Sequence, residues 1–301
     1  VSVDEVKKNL EKIIQYRKQG IRVVLSLAGN LPNFSTAALT DENRKIFTQS
    51  VLDVIEKYHL DGIDLDWEYP GYNTGRDVEI DRPNFTLMVA NINIALKAID
   101  EDYLVTAAVP GGRYGIDRYQ VANLNKYFDY FHLMTYDFHD QQKALHHCAL
   151  YSTVNTSNGS SADWSVKEWH KQGADMSKLV IGGAFYGRIY QLSGPATTSE
   201  GIGSTNVTKS GDHITYTSIY NDYLLKRSTN SNIKYYHDAQ AQAAWIYLKD
   251  KNQVIVFDDP QSMQAKYNYV LDNDLGGFMY WENGEDHTDS LVSAISKVKN
   301  K

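Results

Sequence analysis

The chain reads as an α/β protein with a parallel sheet and helices packed outside it. Three observations predict this. Amphipathic helical stripes alternate with short apolar strands along most of the length, and polar residues gather at the C-terminal tips of those strands. Of the 301 residues, 42% are hydrophobic, enough for a large core in one α/β barrel or two ordinary domains.

Ser2 with Glu5 three residues on forms a capping box, and Val6, Leu10, Ile13 and Ile14 give an apolar stripe that stops at Gly20, predicting a helix over 3–19. Ile21 to Leu27 reads as a buried strand closing on Ala28-Gly29-Asn30. Phe47, Val51, Val54, Ile55 and Tyr58 share one face of a helix expected over 41–58, and a strand follows over 62–68. After a polar loop from Gly71 to Arg82, the spacing of Phe85, Met88, Ile92 and Leu96 predicts a helix over 82–99, then a strand from Tyr103 to Val109. A short helix near 117–127 leads to a strand over 130–137.

A Ser/Thr/Asn/Gly-rich loop precedes a helix over 163–172 and a strand from Leu179 to Phe185. From Ile189 to Gln253 the chain turns often, which predicts a small α+β insertion over 189–253. The alternation resumes with Val254 to Phe257, a helix over 261–271, a strand from Gly276 to Trp281 and a final helix near 287–298. Residues 1–188 and 254–301 then form the main domain.

The chemistry concentrates in Leu60 to Pro70. Asp64, Asp66 and Glu68 alternate with Ile63, Leu65 and Trp67, so a strand sends the acids to one face and the apolar residues to the other. Same-face neighbours stand roughly 6.5–7 Å apart. In an enclosed site, repulsion and desolvation raise at least one pKa and couple the titrations, which keeps a carboxyl protonated for general-acid work. A solvated acidic face of an antiparallel strand would show the same alternation, and three carboxylates could instead hold Mg²⁺ or Ca²⁺.

Composition excludes other classes. A net charge of −7 without a basic run argues against nucleic acid or an anionic membrane as partner. One cysteine, Cys148, allows no intrachain disulfide framework. No apolar run reaches the length of a membrane helix. No Gly-rich nucleotide loop or Cys/His zinc spacing is present, so no cofactor and no zinc site are expected, with a carboxylate-held Mg²⁺ or Ca²⁺ left as the alternative that chelator would test. The 22 tyrosines and 5 tryptophans include rings suited to stack on sugars, with core packing the commoner use.

Asp61-Gly-Ile-Asp64-Leu-Asp66-Trp-Glu68 resembles the D-x-x-D-x-D-x-E signature of glycoside hydrolase family 18 chitinases. Ser26-Leu-Ala-Gly29 resembles the family's S-x-G-G strand, Met134-Thr-Tyr136-Asp137 its M-x-Y-D, Phe185-Tyr-Gly-Arg188 its F-Y-G-R, and Gly276 to Trp281 its last strand. The resemblance spans 26–281 and implies a (β/α)8 TIM barrel with the small chitinase insertion domain.

It also implies roles. Glu68 would be the general acid and base, and the substrate's 2-acetamido oxygen the nucleophile, by way of an oxazolinium. Asp66 would orient and stabilise the acetamido group, Asp64 would share its proton or charge, and Tyr136 would hydrogen-bond the acetamido carbonyl. Trp281 would stack beneath the sugar and Met134 shape that pocket. Asp137 and Arg188 would contact sugar hydroxyls, with Tyr186 either a sugar contact or a packed ring. Ser26 would support the acidic strand by a hydrogen bond, and Asp61, off parity, would be structural. Tyr190, Tyr216 and Trp245 would line extended subsites or, the commoner use, pack the insertion.

The expected partner is chitin or an N-acetylglucosamine oligosaccharide, hydrolysed by a secreted or cell-surface monomer. The same chemistry on peptidoglycan or the chitobiose core of N-glycans, and a non-catalytic chitin-binding lectin, are the alternatives. Two departures stand out. Phe138 to Lys143 replaces a loop that often carries Gly and Trp. The Ser26 strand should be the third of eight, so the first two barrel strands are expected to be missing from this chain.

Overall fold

The computed structural model describes residues 3–29 and 31–296. Ser2, Asn30 and residues 297–298, on which the first capping box, the first closing turn and the end of the last helix depend, lie outside them. Two compact units result: Val1–Val109, Tyr114–His132 and Gln172–Lys178 make one, and Pro110–Arg113, Leu133–Lys171 and Leu179–Lys301 the other.

The first unit runs α1 (Val3–Ile13) with a 3₁₀ turn over Ile14–Gln19, β1 (Val24–Ala28), α2 (Leu31–Leu39), α3 (Asp41–Tyr58), β2 (Gly62–Asp66), α4 (Val78–Ile99), β3 (Leu104–Pro110), α5 (Val121–Leu124) and the opening of β4 (Tyr130–Met134). Strands β1, β2 and β3 are parallel neighbours, with Ser26 opposite Asp64 and Asp64 opposite Thr106.

Helix α3 shows why the pattern was readable. The Thr40 side chain caps it by accepting the Asn43 N–H, Asp41 and Glu42 complement its positive end, and His59 closes it at φ 54°. Its buried face is Arg44, Thr48, Val51 and Ile55. Beneath β2, Trp67 stacks on Phe34 at 5.6 Å and meets Phe85 edge-on at 5.6 Å. Truncating a buried ring of this kind costs about 3–5 kcal/mol.

Helices α2 and α4 depart from the sequence reading for physical reasons. Helix α2 contains Pro32, Asn33, Ser35 and Thr36, residues of loop type, and has no long apolar stripe to announce it. Helix α4 starts at Val78 with Pro83 inside it, whereas a proline favours the first helical turn and so suggests a start at 82. Asp81 is therefore a buried helical residue rather than part of a loop.

The second unit holds the close of β4, then α6 (Ala162–Lys171), β5 (Leu179–Ala184), β6 (Tyr186–Leu192), β7 (Val207–Thr215), α7 (Tyr216–Ile219), β8 (Ile233–Asp238), β9 (Ala243–Leu248), β10 (Gln253–Phe257), α8 (Pro260–Asp272), β11 (Gly277–Trp281) and α9 (Ser290–Ser296). Strands β5 and β11 are parallel neighbours. The other five form an antiparallel sheet in the order β7-β6-β10-β9-β8.

That sheet runs from Tyr186 to Phe257, so the region expected over 189–253 grows at both ends. Val254 to Phe257 does not resume the parallel alternation: it pairs antiparallel with β6 and β9. Ile255 and Phe257 enter one apolar cluster, Val254 and Val256 another. A strand buried on both faces reads as a continuous apolar run in either kind of sheet. Tyr190, Tyr216 and Trp245 are buried in the same clusters.

Helix α8 opens with a reciprocal Asp259–Ser262 capping box and Pro260. Beside it, Lys266 Nζ lies 2.5 Å from Asp258 Oδ2, both side chains fully buried. Asp258 also accepts the Ala184 N–H at 3.0 Å and the Ser262 hydroxyl at 2.7 Å. Among the described residues, no helix is long and apolar enough to cross a membrane.

Candidate active site

In the first unit, strand parity places Ile63, Leu65 and Trp67 in the core at 0%, 0% and 1% exposure. Asp64 and Asp66 take the other face. The strand itself ends at Asp66, so Glu68 stands two residues beyond it, solvent-exposed, rather than on the predicted strand over 62–68.

Asp64 is held by its register neighbours. Oδ2 accepts the Ser26 hydroxyl at 2.7 Å and Oδ1 accepts the Thr106 hydroxyl at 2.6 Å. The Nδ1 of His132, on β4, lies 3.3 Å from Oδ1. Burial alone would raise this carboxyl; the hydrogen bond and charge of His132, then the Thr106 and Ser26 hydroxyls, outweigh burial and hold it below the usual range.

Asp66 has no such support. Burial, reinforced by the Glu68 and Asp64 carboxyls, pushes it up to about 7, and its Oδ1 is buried without a hydrogen-bond partner among the described residues. Two carboxyls two residues apart are thus shifted in opposite directions, one down and one up. Asp61 sits off this face, where it accepts the Val23 N–H at 2.7 Å and pairs with Arg17 at 2.7 Å.

In the second unit, Tyr136 follows β4 and packs where Gly182 has no side chain. A Cβ at Gly182 would stand 2.7 Å from the Tyr136 ring. Thr135 fixes the approach: its hydroxyl donates to the Gly182 carbonyl at 2.7 Å and accepts the Gly182 N–H at 2.8 Å. Met134, half-buried, is the last residue of β4.

Asp137 and Arg188 meet each other in a fork, with Nε–Oδ1 at 2.6 Å and Nη2–Oδ2 at 2.8 Å. Burial would raise the Asp137 carboxyl, but His147, at 3.7 Å from Oδ1, and Arg188 hold it far below the carboxylate range. Burial keeps the His147 imidazole low in turn.

Tyr186 is 2% exposed. It meets Tyr136 edge-on at 6.1 Å, stacks on His213 at 4.9 Å and lies under the Arg188 guanidinium at 4.9 Å. Of its two readings, the packed ring fits this burial. Trp281 ends β11 and is 53% exposed, a flat ring open to solvent. The loop beyond it is tied down where Glu285 Oε2 meets His213 Nε2 at 2.8 Å.

Thr106, His132, His147, His213 and Glu285 were not singled out in the sequence. Each acts through a neighbour on a different strand or loop, which only register and packing reveal. Among the described residues, no group of three or more His, Cys, Asp or Glu side chains is arranged to hold a metal ion.

The chain is 29% identical over 292 residues to probable chitinase 10 of Drosophila melanogaster, covering 90% of this chain and 12% of that protein. It is 30% identical over 276 residues to chitotriosidase-1 of Mus musculus, covering 87% of this chain and 58% of that one. It thus spans little more than a tenth of the first relative and under two thirds of the second. Among solved structures, a family 18 N-acetylglucosaminidase of Paenibacillus barengoltzii superposes with a TM-score of 0.86 at 31% identity, covering 95% of this chain and 86% of the other. The sequence pattern of the glycosyl hydrolases family 18 matches residues 2–286, and the chain belongs to that family.

Proposed function

We propose that this chain is a chitinase, hydrolysing β-1,4-linked N-acetylglucosamine polymers with retention of configuration. The observation that carries the reading is the placing of Asp64 and Asp66 on one face of β2 beside Glu68, with Asp64 held by Ser26, Thr106 and His132 and Asp66 Oδ1 buried without a hydrogen-bond partner among the described residues. Such a pair supplies charge and a mobile proton beside Glu68.

Glu68 donates a proton to the glycosidic oxygen as the bond breaks, and later takes one from the attacking water. The acetamido oxygen of the substrate is the nucleophile. Asp66 orients and stabilises the acetamido group, Asp64 shares its proton or charge with Asp66, and Tyr136 hydrogen-bonds the acetamido carbonyl. Trp281 stacks beneath the sugar and Met134 shapes the pocket. Asp137 and Arg188 contact hydroxyls as a preformed pair, and Ser26 braces Asp64.

The parallel strands are part of a (β/α)8 barrel carrying the antiparallel sheet as its insertion. The enzyme works as a secreted or cell-surface monomer, needs no cofactor, and binds neither nucleic acid nor membrane. The names of the relatives, a chitinase, a chitotriosidase and an N-acetylglucosaminidase, support this choice of substrate.

Mass spectrometry of products from chitohexaose, colloidal chitin and peptidoglycan tests the substrate. Short N-acetylglucosamine oligomers from the first two support the reading, and release of single sugars alone would put the action at chain ends. Muropeptides released while chitohexaose stays intact would overturn it.

A further inference from the structure

Asp81 is fully buried in α4, and among the described residues the groups that donate to its carboxylate belong to, or brace, the loop that follows Glu68. Its Oδ2 accepts the Gly71 N–H at 3.0 Å and the Thr74 hydroxyl at 2.7 Å. Its Oδ1 accepts the Ser35 hydroxyl of α2 at 2.6 Å, and the Arg76 guanidinium donates to that same hydroxyl at 3.0 Å.

The loop has little freedom left. Gly71 sits at φ 69°, and a Cβ there would stand 2.4 Å from the Val78 backbone, so only glycine fits. The same Thr74 hydroxyl oxygen accepts the Arg76 N–H at 3.2 Å. Before Glu68 the Tyr119 hydroxyl donates to the Trp67 carbonyl at 3.3 Å, and after it Arg118 donates to the Pro70 carbonyl at 3.0 Å. The segment from Trp67 to Gly71 is thus anchored at residues 67, 70 and 71. Glu68, exposed and past the end of β2, has no strand ladder of its own to fix it.

We propose that Asp81 is a positioning residue for Glu68, acting through the Gly71–Thr74 turn. A buried carboxylate is costly unless its oxygens are filled by donors. Here the donors are the loop itself, so the loop has one low-energy placement and Glu68 inherits it. An asparagine at 81 offers one oxygen where the carboxylate offers two, so either the Ser35 hydroxyl or the Gly71–Thr74 pair loses its acceptor. The inference rests on Glu68 as the general acid. A misplacement of about 1 Å in such a group can cost on the order of a hundredfold in rate.

The test uses leaving groups. A sugar alcohol needs a proton to depart, whereas 2,4-dinitrophenolate does not, so misplacing the acid slows the first far more than the second. The kcat/KM values on chitotetraose and on 2,4-dinitrophenyl β-chitobioside are compared for the wild-type chain, Glu68→Gln, Asp81→Asn and the milder Thr74→Val, with folding checked by circular dichroism. For Asp81→Asn we expect a loss of about tenfold or more on the oligosaccharide and under about threefold on the aryl glycoside. Thr74→Val, which keeps the carboxylate, should move the same way by less.

Equal losses on both substrates in both loop variants, with Glu68→Gln still separating them, would overturn the inference and leave the acid assignment standing. If Glu68→Gln does not separate them either, the assignment falls and the inference with it.

Discussion

Asp66 follows Asp64 by two residues on the same face of β2, yet its carboxyl is raised to about 7 while that of Asp64 is depressed. The difference lies in their neighbours. Asp64 is met by Ser26, Thr106 and His132, whereas Asp66 meets burial and two acids.

The Asp66 shift makes a prediction about stability. Its native pKa lies above its unfolded value, so the native state holds the extra proton between about pH 4 and 7. The group therefore costs stability progressively as pH rises through that window, and most above it. Asp66→Asn should raise Tm at pH 8 by on the order of 2–4 °C relative to wild type and change it little at pH 4. A gain at pH 4 that vanishes at pH 8 would contradict the assignment.

Thr106→Val removes one donor from Asp64. In a carboxyl titration followed by NMR, the lower of the two strand midpoints should rise while the upper stays near 7, because Asp64 remains ionised when Asp66 loses its proton. An unmoved lower midpoint would show that the 2.6 Å contact carries no charge stabilisation.

The Asp137–Arg188 fork is partly exposed, so its stability effect is discounted for solvent. A double-mutant cycle of Asp137→Asn and Arg188→Lys should give a coupling of about 1 kcal/mol. Because the native Asp137 pKa is depressed, this contribution is present above its unfolded pKa and is lost as pH falls through the native value.

Lys266→Met leaves Asp258 charged and unpaired in a site with no exposure. Urea unfolding should show a loss of about 3–5 kcal/mol. Adding Asp258→Asn should restore at least half of it, since the amide oxygen can still accept the Ala184 N–H.

How much the sequence disclosed follows from how local each signal is. The stripe of α3 and the alternation around Asp64 are properties of consecutive residues, and both were legible. So were five ordered motifs, which single out Ser26, the acids, Tyr136, Arg188 and Trp281 as candidates. The antiparallel partners of Val254 to Phe257 were not, because a doubly buried strand carries no mark of its neighbours' direction. Asp81 was hidden by Pro83, which moved the apparent helix start past it. His132 and Thr106 reach Asp64 only through the register of β2 with its neighbours, and His213 reaches Tyr186 across β7 and β6. No spacing along one chain encodes these.

The most direct measurement is hydrolysis of a fluorogenic chitotrioside by the chain and by Glu68→Gln. The account predicts activity in the unmutated chain and a loss of about 10²–10⁴-fold or more in the folded variant. A variant that keeps most of that activity would contradict the assignment of Glu68 as the acid, and with it the mechanism proposed for the site.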